Sequence, residues 1–217
     1  MTALAHESRN VLQRSVACLK LLSKRVKNMP EALELIADAQ AAQDNVVRLF
    51  EQVRRYAAPV LINSTSCPLG QLLEEAWQHL ETMREGRNVR LQHDYCPLDL
   101  ECEVDPPVIR EVFRNIFENA LSACEDSVEV SVQYDEVEIG GDPAVRVRIH
   151  NNGPALTVEQ LKGIFEAFYT TKTHGTGLGM SLGKRFVEAH HGDIAVDNVH
   201  GSGVEVRVTL PRKTRRT

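Results

Sequence analysis

Residues 165–183 read FEAFYTTKTHGTGLGMSLG and place three glycines, Gly175, Gly177 and Gly179, at alternate positions before a segment of helical periodicity. Glycine allows the backbone to approach a ligand closely and to adopt positive φ. If a helix begins near Met180, the unpaired N–H groups of its first turn and the positive end of its dipole face the space that the glycines enclose. The stretch therefore predicts a binding site for a polyphosphate.

Two other glycine-rich phosphate-binding motifs do not fit this stretch. A dinucleotide fingerprint needs a strand directly before the glycines, whereas residues 169–174 (YTTKTH) are polar and lack strand periodicity. A Walker loop needs Gly-Lys-Ser/Thr, and that sequence does not follow. The glycines taken alone are also compatible with a plain surface turn, and the pair Phe165 and Phe168 just before them favours a ligand-binding loop.

Composition limits the classes to which the chain can belong. With 217 residues and 42% hydrophobic residues, it can form one ordinary core plus a smaller element, so we expect two domains. A net charge of −5 gives no general attraction to nucleic acid, and we expect the basic tail at 212–216 to be solvated. The five cysteines contain no Cys-x-x-Cys pair, so we expect neither a zinc site nor a disulfide framework.

No secretory signal and no apolar run long enough to span a bilayer is present in the sequence. Together with the scattered cysteines, this predicts a cytoplasmic location. The helix that carries His6 would normally extend further toward the N-terminus. We therefore expect the chain to be the cytoplasmic part of a longer sensor, whose membrane anchor, if it has one, lies outside this sequence.

Residues 1–58 are predicted to form two amphipathic helices joined by a tight turn at Asn28-Met29, with Pro30 in the first turn of the second helix. The second helix has the clearer apolar stripe, with steps of four and three: Leu35, Ala39, Ala42, Val46, Leu49, Val53 and Tyr56. Two such helices bury too little surface to be stable alone. We expect a homodimer in which residues 1–58 of two copies form a four-helix bundle.

His6 lies one residue past the apolar stripe of the first helix, beside Glu7 and one turn before Asn10. An isolated histidine in such a place is usually a solvated surface residue. A neutral imidazole is nevertheless a nucleophile near pH 7, and a neighbouring carboxylate can orient it and stabilise the charge that develops on attack. The amide of Asn10 can orient a water for the reverse hydrolysis.

Residues 59–67 are irregular and polar and are predicted to be a linker, followed by a second domain at residues 68–217. That domain begins with a helix at about 69–84 and continues with alternating strand patterns at 89–93, 98–104, 128–134, 145–150, 194–198 and 204–210. Asp105-Pro106 caps a further helix, and residues 181–190 form another. This order predicts an α+β fold, with a sheet covered by helices.

Two asparagines, Asn115 and Asn119, lie one turn apart on the capped helix although asparagine is a poor residue for a helix interior. They are either locally bonded surface amides or, beside a phosphate site, ligands for Mg²⁺. The turn that begins at Asn151-Asn152-Gly153 provides an amide that could face a purine edge, although as a turn signal alone it is weak.

The combination of these motifs resembles sensor histidine kinases. Residues 6–10 (HESRN) resemble the phosphoacceptor box, 115–119 (NIFEN) the N box, 151–155 (NNGPA) the first glycine box, 165–168 (FEAF) the F box and 175–179 (GTGLG) the second glycine box. All five occur in the expected order. The resemblance covers about residues 1–210.

The resemblance implies a dimerisation and phosphotransfer hairpin followed by a Bergerat-type ATP-binding sandwich of the GHKL superfamily. His6 would be phosphorylated, Glu7 would act as base and Asn10 would serve in dephosphorylating a response regulator, the partner that receives the phosphoryl group on an aspartate of its receiver domain. ATP and Mg²⁺ would be the cofactors. The implied nucleotide ligands are Asn115, Asn119, Asn151, Gly153, Lys172, Gly175, Thr176, Gly177, Leu178 and Gly179, with Asn119 and Asn115 holding the metal.

The sequence departs from the family pattern at three positions. Asn151 stands where the family usually has Asp, Ala155 replaces a glycine, and Val11 follows the phosphoacceptor asparagine where proline is common. A nucleotide-binding scaffold that contacts a response regulator without phosphotransfer is therefore the alternative function. An ATPase that uses water would need a carboxylate at Asn115, and none is present.

Overall fold

The structure, a computed structural model, describes residues 2–94, 98–125, 127–172, 175–199 and 203–213, with side chains from residue 14 onward. The elements are α1 (Thr2–Arg25), α2 (Pro30–Ala57), β1 (Thr65–Pro68), α3 (Leu69–Gln78), α4 (Glu81–Arg84), β2 (Val89–His93), β3 (Glu101–Val104), α5 (Pro106–Ala123), β4 (Val128–Ile139), β5 (Asp142–Asn151), α6 (Val158–Gly163), α7 (Gly179–Ala189), β6 (Asp193–Asn198) and β7 (Val204–Pro211). None of the helices described is both long and apolar enough to cross a membrane.

The chain divides into two compact units, with α1 and α2 up to Ala58 in one and residues 59–171 and 177 onward in the other. In the first unit, Met29 precedes α2 and Pro30 occupies its first turn, as predicted. Ile36 and Gln43 are the residues of α2 buried within this helical hairpin. Ile36 widens the predicted stripe, whereas four large side chains along the stripe remain exposed in a single copy of the chain: Leu35, Val46, Leu49 and Val53.

The second unit is an α/β sandwich, which confirms the predicted α+β fold. Its five-stranded sheet has the order β2-β4-β5-β7-β6, with β2 parallel to β4 and the other neighbours antiparallel. Helix α5 packs between α3 and α7 and also contacts β5. Buried side chains from both layers form the core, among them Phe113, Phe117, Val147, Ile149, Leu182 and Val208.

The predicted linker is partly regular structure. Residues 65–68 form β1, which pairs antiparallel with β3 in a separate two-stranded sheet. Just before β1, the backbone N–H of Asn63 donates to Oδ2 of Asp105 at 2.9 Å. The prediction of an irregular segment is therefore wrong from Thr65 onward. A strand of only four residues is too short for its sequence to show the alternation that indicates a strand.

Two further boundaries differ from the predictions. The helix expected over 69–84 ends at Gln78, because the chain turns at Leu80, which is almost fully buried, before the short α4 begins. The strands expected over 128–134 and 145–150 both extend into the acidic stretch between them, so β4 and β5 are joined by only Gly140-Gly141, both at positive φ. A two-residue turn with positive φ at both positions matches the twist of antiparallel strands.

Candidate nucleotide-binding site

Helix α5 positions one side of the candidate site. Asp105 caps its N-terminus, with Oδ1 accepting a hydrogen bond from the N–H of Val108 at 3.4 Å and Pro106 in the first turn. The apolar face of α5 is buried against the sheet and the neighbouring helices, and this fixes the rotation of the helix. Asn115 and Asn119 are placed one turn apart by that rotation, with Asn115 buried and Asn119 half-buried.

The side chain of Asn115 joins α5 to the first residue of α7. Its Nδ2 donates a hydrogen bond to the carbonyl oxygen of Gly179 at 3.1 Å, and the residue is 6% exposed. This contact explains how asparagine is tolerated inside a helix, since the amide bonds to a neighbouring element and not to its own turn. The structure therefore brings together Asn115 and the end of the glycine loop, which are 64 residues apart in sequence.

The glycine loop ends in a conformation that requires glycine. Gly177 has φ of +67°, and a Cβ there would lie 2.4 Å from the carbonyl carbon of Phe168. Phe168 itself has φ of +70°, and its N–H donates to the oxygen of Gly177 at 3.0 Å. Leu178, next in the chain, is completely buried and anchors the loop in the core. Gly177 therefore supplies the positive φ predicted for this loop and lies close to the backbone of Phe168, while the approach of the loop to a ligand stays a prediction.

Helix α7 begins at Gly179, slightly earlier than predicted. Leu178 occupies the N-cap position and no side chain caps the helix, while the hydroxyl of Ser181 donates to the carbonyl of Leu178 at 3.1 Å. The N–H groups of the first turn thus have no side-chain acceptor among the described residues. A helix N-terminus in this state attracts an anion through its N–H groups and its dipole.

The loop residues before Gly177 have simpler surroundings. Gly175 and Thr176 are half-buried, and the N–H of Gly175 donates to the carbonyl of Lys172 at 3.1 Å. The side chain of Lys172 is exposed. Thr173 and His174, between them, lie outside the described residues.

Asn151 ends the central strand β5, paired with Val130 on one side and Val204 on the other. Its Nδ2 donates to the sulfur of Cys124 at 3.5 Å. Gly153 lies against both groups, because a Cβ at this position would be 2.7 Å from Nδ2 of Asn151 and 3.1 Å from the sulfur. Residue 153 must therefore be glycine because a side chain would collide with these groups, and not because its backbone has a positive φ.

The residues predicted for phosphotransfer are placed only by the backbone. His6, Glu7 and Asn10 belong to α1, so the predicted helix is present. Their side chains lie outside the described residues.

The sequence analysis did not single out His190, which connects α7 to the cap of α5. Its Nε2 accepts a hydrogen bond from the N–H of Asp105 at 2.9 Å, and its Nδ1 lies 2.7 Å from the carbonyl of Phe186. Nδ1 must therefore carry the proton, and the ring is neutral. Burial lowers the pKa of His190, although the carbonyl of Phe186 and the carboxylate of Asp105 act in the opposite direction. A helix-terminal histidine has no sequence signature that would have indicated this role.

Cys124 and Arg87 were also not identified as site residues. Arg87 donates from its two terminal nitrogens to the carbonyls of Leu121 and Cys124, each at 2.9 Å, and so caps the C-terminus of α5.

Across the described parts of the chain, no group of three or more His, Cys, Asp or Glu side chains is arranged to hold a metal ion. A cation at this site would depend on amide and phosphate oxygens.

The fold and this site define an ATPase domain of the Bergerat type. The chain belongs to the family of histidine kinase-, DNA gyrase B- and HSP90-like ATPases, whose model matches residues 104–214, about half of the chain. It is similar to the sensor histidine kinase ZraS of Klebsiella oxytoca, with 27% identity over 207 residues covering 95% of this chain and 44% of ZraS. It is also 26% identical to the signal transduction histidine-protein kinase AtoS of Escherichia coli, covering 97% of this chain and 34% of AtoS. The chain thus spans less than half the length of these relatives.

Solved structures show the same architecture. The catalytic domain of histidine kinase ThkA is 29% identical, with a TM-score of 0.61 over 70% of this chain and 97% of that domain. Full-length ShkA in complex with AMPPNP matches the fold over all of this chain and 46% of its own length, with a TM-score of 0.78 and 23% identity. ThkA in complex with the response regulator protein TrrA has a TM-score of 0.69 at 21% identity, covering all of this chain and 62% of that one.

Proposed function

We propose that this chain is the catalytic core of a two-component sensor histidine kinase. It transfers the γ-phosphoryl group of ATP to His6 and then to an aspartate of a response regulator. The observation that carries the proposal is the hydrogen bond between Asn115 and Gly179, because it joins the candidate metal-binding helix to an uncapped helix N-terminus. The match to the ATPase family model supports ATP as the phosphoryl donor.

The phosphate end of the nucleotide lies at residues 177–179, where the N–H groups of the first turn of α7 bind the phosphate oxygens. The base lies at the other end of α5, near Asn151 and Gly153. Asn115 and Cys124 are nine residues apart on α5, which corresponds to about 13 Å along the helix axis. This spacing suits the two ends of an extended nucleoside triphosphate. Lys172, on the loop, pairs with the γ-phosphate.

The residues present fit a magnesium ion. Since Nδ2 of Asn115 donates to Gly179, the remaining polar atom of this amide is its carbonyl oxygen, a type of ligand that Mg²⁺ accepts. Asn119 provides a second amide one turn later. A magnesium ion bound here would neutralise charge on the phosphates. The structure of the donor set therefore agrees with metal binding through few protein ligands.

In the transfer step, a ring nitrogen of His6 attacks the γ-phosphorus. A nitrogen–phosphorus bond forms, the bond between the γ-phosphorus and the bridging oxygen breaks, and ADP leaves with the electron pair. Glu7 holds the N–H of the other ring nitrogen and takes up its proton. Residues 1–58 act as the dimerisation and phosphotransfer domain, 59–67 as the connection and 68–217 as the ATP-binding domain. The sensor part of such a kinase would lie outside this chain.

The proposed partners are a second copy of the chain and a response regulator. The exposed apolar residues Leu35, Val46, Leu49 and Val53 supply the surface for a four-helix bundle between two copies. The complex of ThkA with TrrA supports a response regulator as the recipient of the phosphoryl group. Asn10 orients the water that hydrolyses the phosphorylated regulator.

The test is incubation of the chain with Mg²⁺ and γ-labelled ATP, followed by treatment with acid or alkali. We expect acid-labile, alkali-stable label in the wild type, loss of label in His6→Ala and Asn119→Ala, and retention of label in His79→Ala, which changes an exposed histidine outside the site. A label that survives in His6→Ala would contradict the assignment of the acceptor.

The scaffold function gives a different result in the same experiment. Asn151 in place of the usual aspartate is the observation that favours it. If the wild-type chain binds ATP and forms a dimer but takes up no label, the chain is a nucleotide-responsive scaffold and His6 is an ordinary surface residue.

A further inference from the structure

The amide of Asn151 is held in one orientation. The residue is 7% exposed, and its backbone is fixed between two paired strands. Its Nδ2 donates to the sulfur of Cys124, while Oδ1 accepts no hydrogen bond from the described residues. An asparagine amide has a donor end and an acceptor end that exchange places when the group rotates by half a turn. In this structure Nδ2 faces the sulfur, so Oδ1 is the end that remains available to a ligand.

Cys124 is well placed to act as that partner because its own position is rigid. It is the C-cap residue of α5, and its N–H donates to the carbonyl of Ala120 at 3.3 Å. Its carbonyl accepts a hydrogen bond from Arg87. The residue is only 8% exposed. The thiol therefore has little freedom to leave the amide of Asn151.

Gly153 limits the remaining freedom of the pair. The position that a Cβ of residue 153 would occupy is in contact range of both Nδ2 of Asn151 and the sulfur of Cys124. The turn after β5 therefore packs directly against the pair through Gly153. Asn152 fixes this turn, because its Oδ1 accepts from the N–H of Glu129 and its Nδ2 donates to the carbonyl of Ser127.

We infer that Cys124 is a positioning residue that makes Asn151 selective for adenine. With Nδ2 held by the thiol, Oδ1 is the end presented to the base, and it accepts a hydrogen bond from the 6-amino group of adenine. Hypoxanthine and guanine carry an oxygen at position 6, so the same Oδ1 repels them. An aspartate needs no such partner, because both of its oxygens are acceptors.

The inference rests on the proposed function, since it requires the base of a nucleotide to lie against Asn151. It extends that proposal by naming Cys124 as the residue that orients the amide of Asn151. An aspartate at position 151 would select adenine without such a partner. Without the sulfur, the amide can rotate and present Nδ2 to a 6-oxo purine.

The test compares equilibrium binding of ATP and ITP, which differ only in the group at position 6 and the proton at N1. We expect Cys124→Ala to lower the ratio of ATP affinity to ITP affinity about threefold to tenfold, because one sulfur hydrogen bond biases the rotation. Cys124→Ser, which retains an acceptor, should preserve the ratio within about twofold. Cys102→Ala, at a buried cysteine of β3 outside the site, should leave the ratio unchanged.

A double variant separates positioning from general damage to the fold. In Asn151→Asp the ratio should no longer depend on residue 124, so adding Cys124→Ala should change it by less than about twofold. A variant that merely folds poorly would lose both nucleotides equally and leave the ratio unchanged. An unchanged ratio in a Cys124→Ala protein that binds ATP as tightly as the wild type overturns this inference alone. Failure of the wild type to bind either nucleotide overturns the proposed function as well.

Discussion

Phe168 and Gly177 close the base of the glycine loop through their backbones, with the N–H of Phe168 donating to the oxygen of Gly177 at 3.0 Å. Both residues have positive φ, a conformation that side chains disfavour and that Phe168 adopts without being glycine. The two ends of the loop are therefore fixed to one another, whatever the intervening residues do. Gly177 takes part in this closure and Gly179 does not, so we expect the two glycines to respond differently to substitution.

Gly177→Ala should destabilise the ATP-binding domain by about 1–3 kcal/mol. The new Cβ would meet backbone atoms of Phe168, which cannot move aside as a side chain can, and alanine is strained at φ of +67°. Urea unfolding followed by Trp77 fluorescence measures this change. Trp77 is the only tryptophan of the chain and packs edge-on against Phe117 of α5, so it reports on this domain.

Gly179→Ala is the matched comparison and should leave stability within about 0.5 kcal/mol of the wild type. Its Cβ would be no closer than 3.6 Å to Asn115. If the phosphates lie against the first turn of α7, the same methyl group should still weaken ATP binding by about tenfold or more. Equal stability losses in the two variants would contradict the assignment of the backbone clash to Gly177.

His190 should make the stability of the domain depend on pH below about 6.5. Its pKa is lowered in the folded state, mainly by burial, so the unfolded chain binds a proton that the folded chain does not. The stabilisation is complete above the pKa of the unfolded chain and is lost as pH falls toward the folded pKa, with a slope of at most about 1.4 kcal/mol per pH unit. Urea unfolding at pH 7.5 and 5.5 measures the difference.

The control for this prediction is His190→Gln, because glutamine can accept from the N–H of Asp105 and donate to the carbonyl of Phe186. Its stability should change less between the two pH values than that of the wild type. His93 also has a pKa lowered by burial, so some dependence will remain in the variant. Identical pH profiles for both proteins would show that His190 is not the titrating group.

Arg87→Ala should reduce the free energy of unfolding of the domain by about 1–3 kcal/mol. It removes two hydrogen bonds from a guanidinium to the last carbonyls of α5, where a positive charge also interacts favourably with the helix dipole. Arg87→Lys should recover part of the loss, since an ammonium group cannot reach both carbonyls with fork geometry. Arg90→Ala, on the exposed side of β2, should have little effect in the same urea experiment.

Val46→Glu should convert the proposed homodimer to a monomer in sedimentation or light-scattering measurements. Val46 is 50% exposed in a single copy, and a carboxylate there would be buried without a partner in the bundle. Ala37→Glu is the control, because position 37 is exposed and lies on the opposite side of α2. It precedes Val46 by nine residues, which is about two and a half helical turns. A Val46→Glu protein that remains dimeric would place the interface elsewhere.

Much of the fold followed from local sequence signals. Asp105-Pro106 marks the start of α5 because capping and proline geometry act within one turn, and alternating valines mark β4 and β7 because a half-buried sheet has a period of two. Thr157 and Gln160 form a capping box at α6, a readable signal that the sequence analysis did not use.

The remaining features depend on contacts between distant parts of the chain. The pairing of β1 with β3 joins two segments that are distant in sequence, and a four-residue strand has no period of its own. Likewise, the contact of Asn151 with Cys124 spans 27 residues, and neither residue type indicates the other. The motifs located the candidate site, but its supporting residues Cys124, Arg87 and His190 could be found only in three dimensions.

The bond between Asn63 and Asp105 sets the length of the tether between the two units. Helix α2 ends at Ala57 and the chain is attached to the sandwich again at Asn63, so residues 58–62 form the connection between the two attachments. Six extended steps span at most about 20 Å. The tether therefore keeps Asn63, the first attached residue of the sandwich, within about 20 Å of the end of α2, and glycine-serine residues inserted at position 60 would raise this limit.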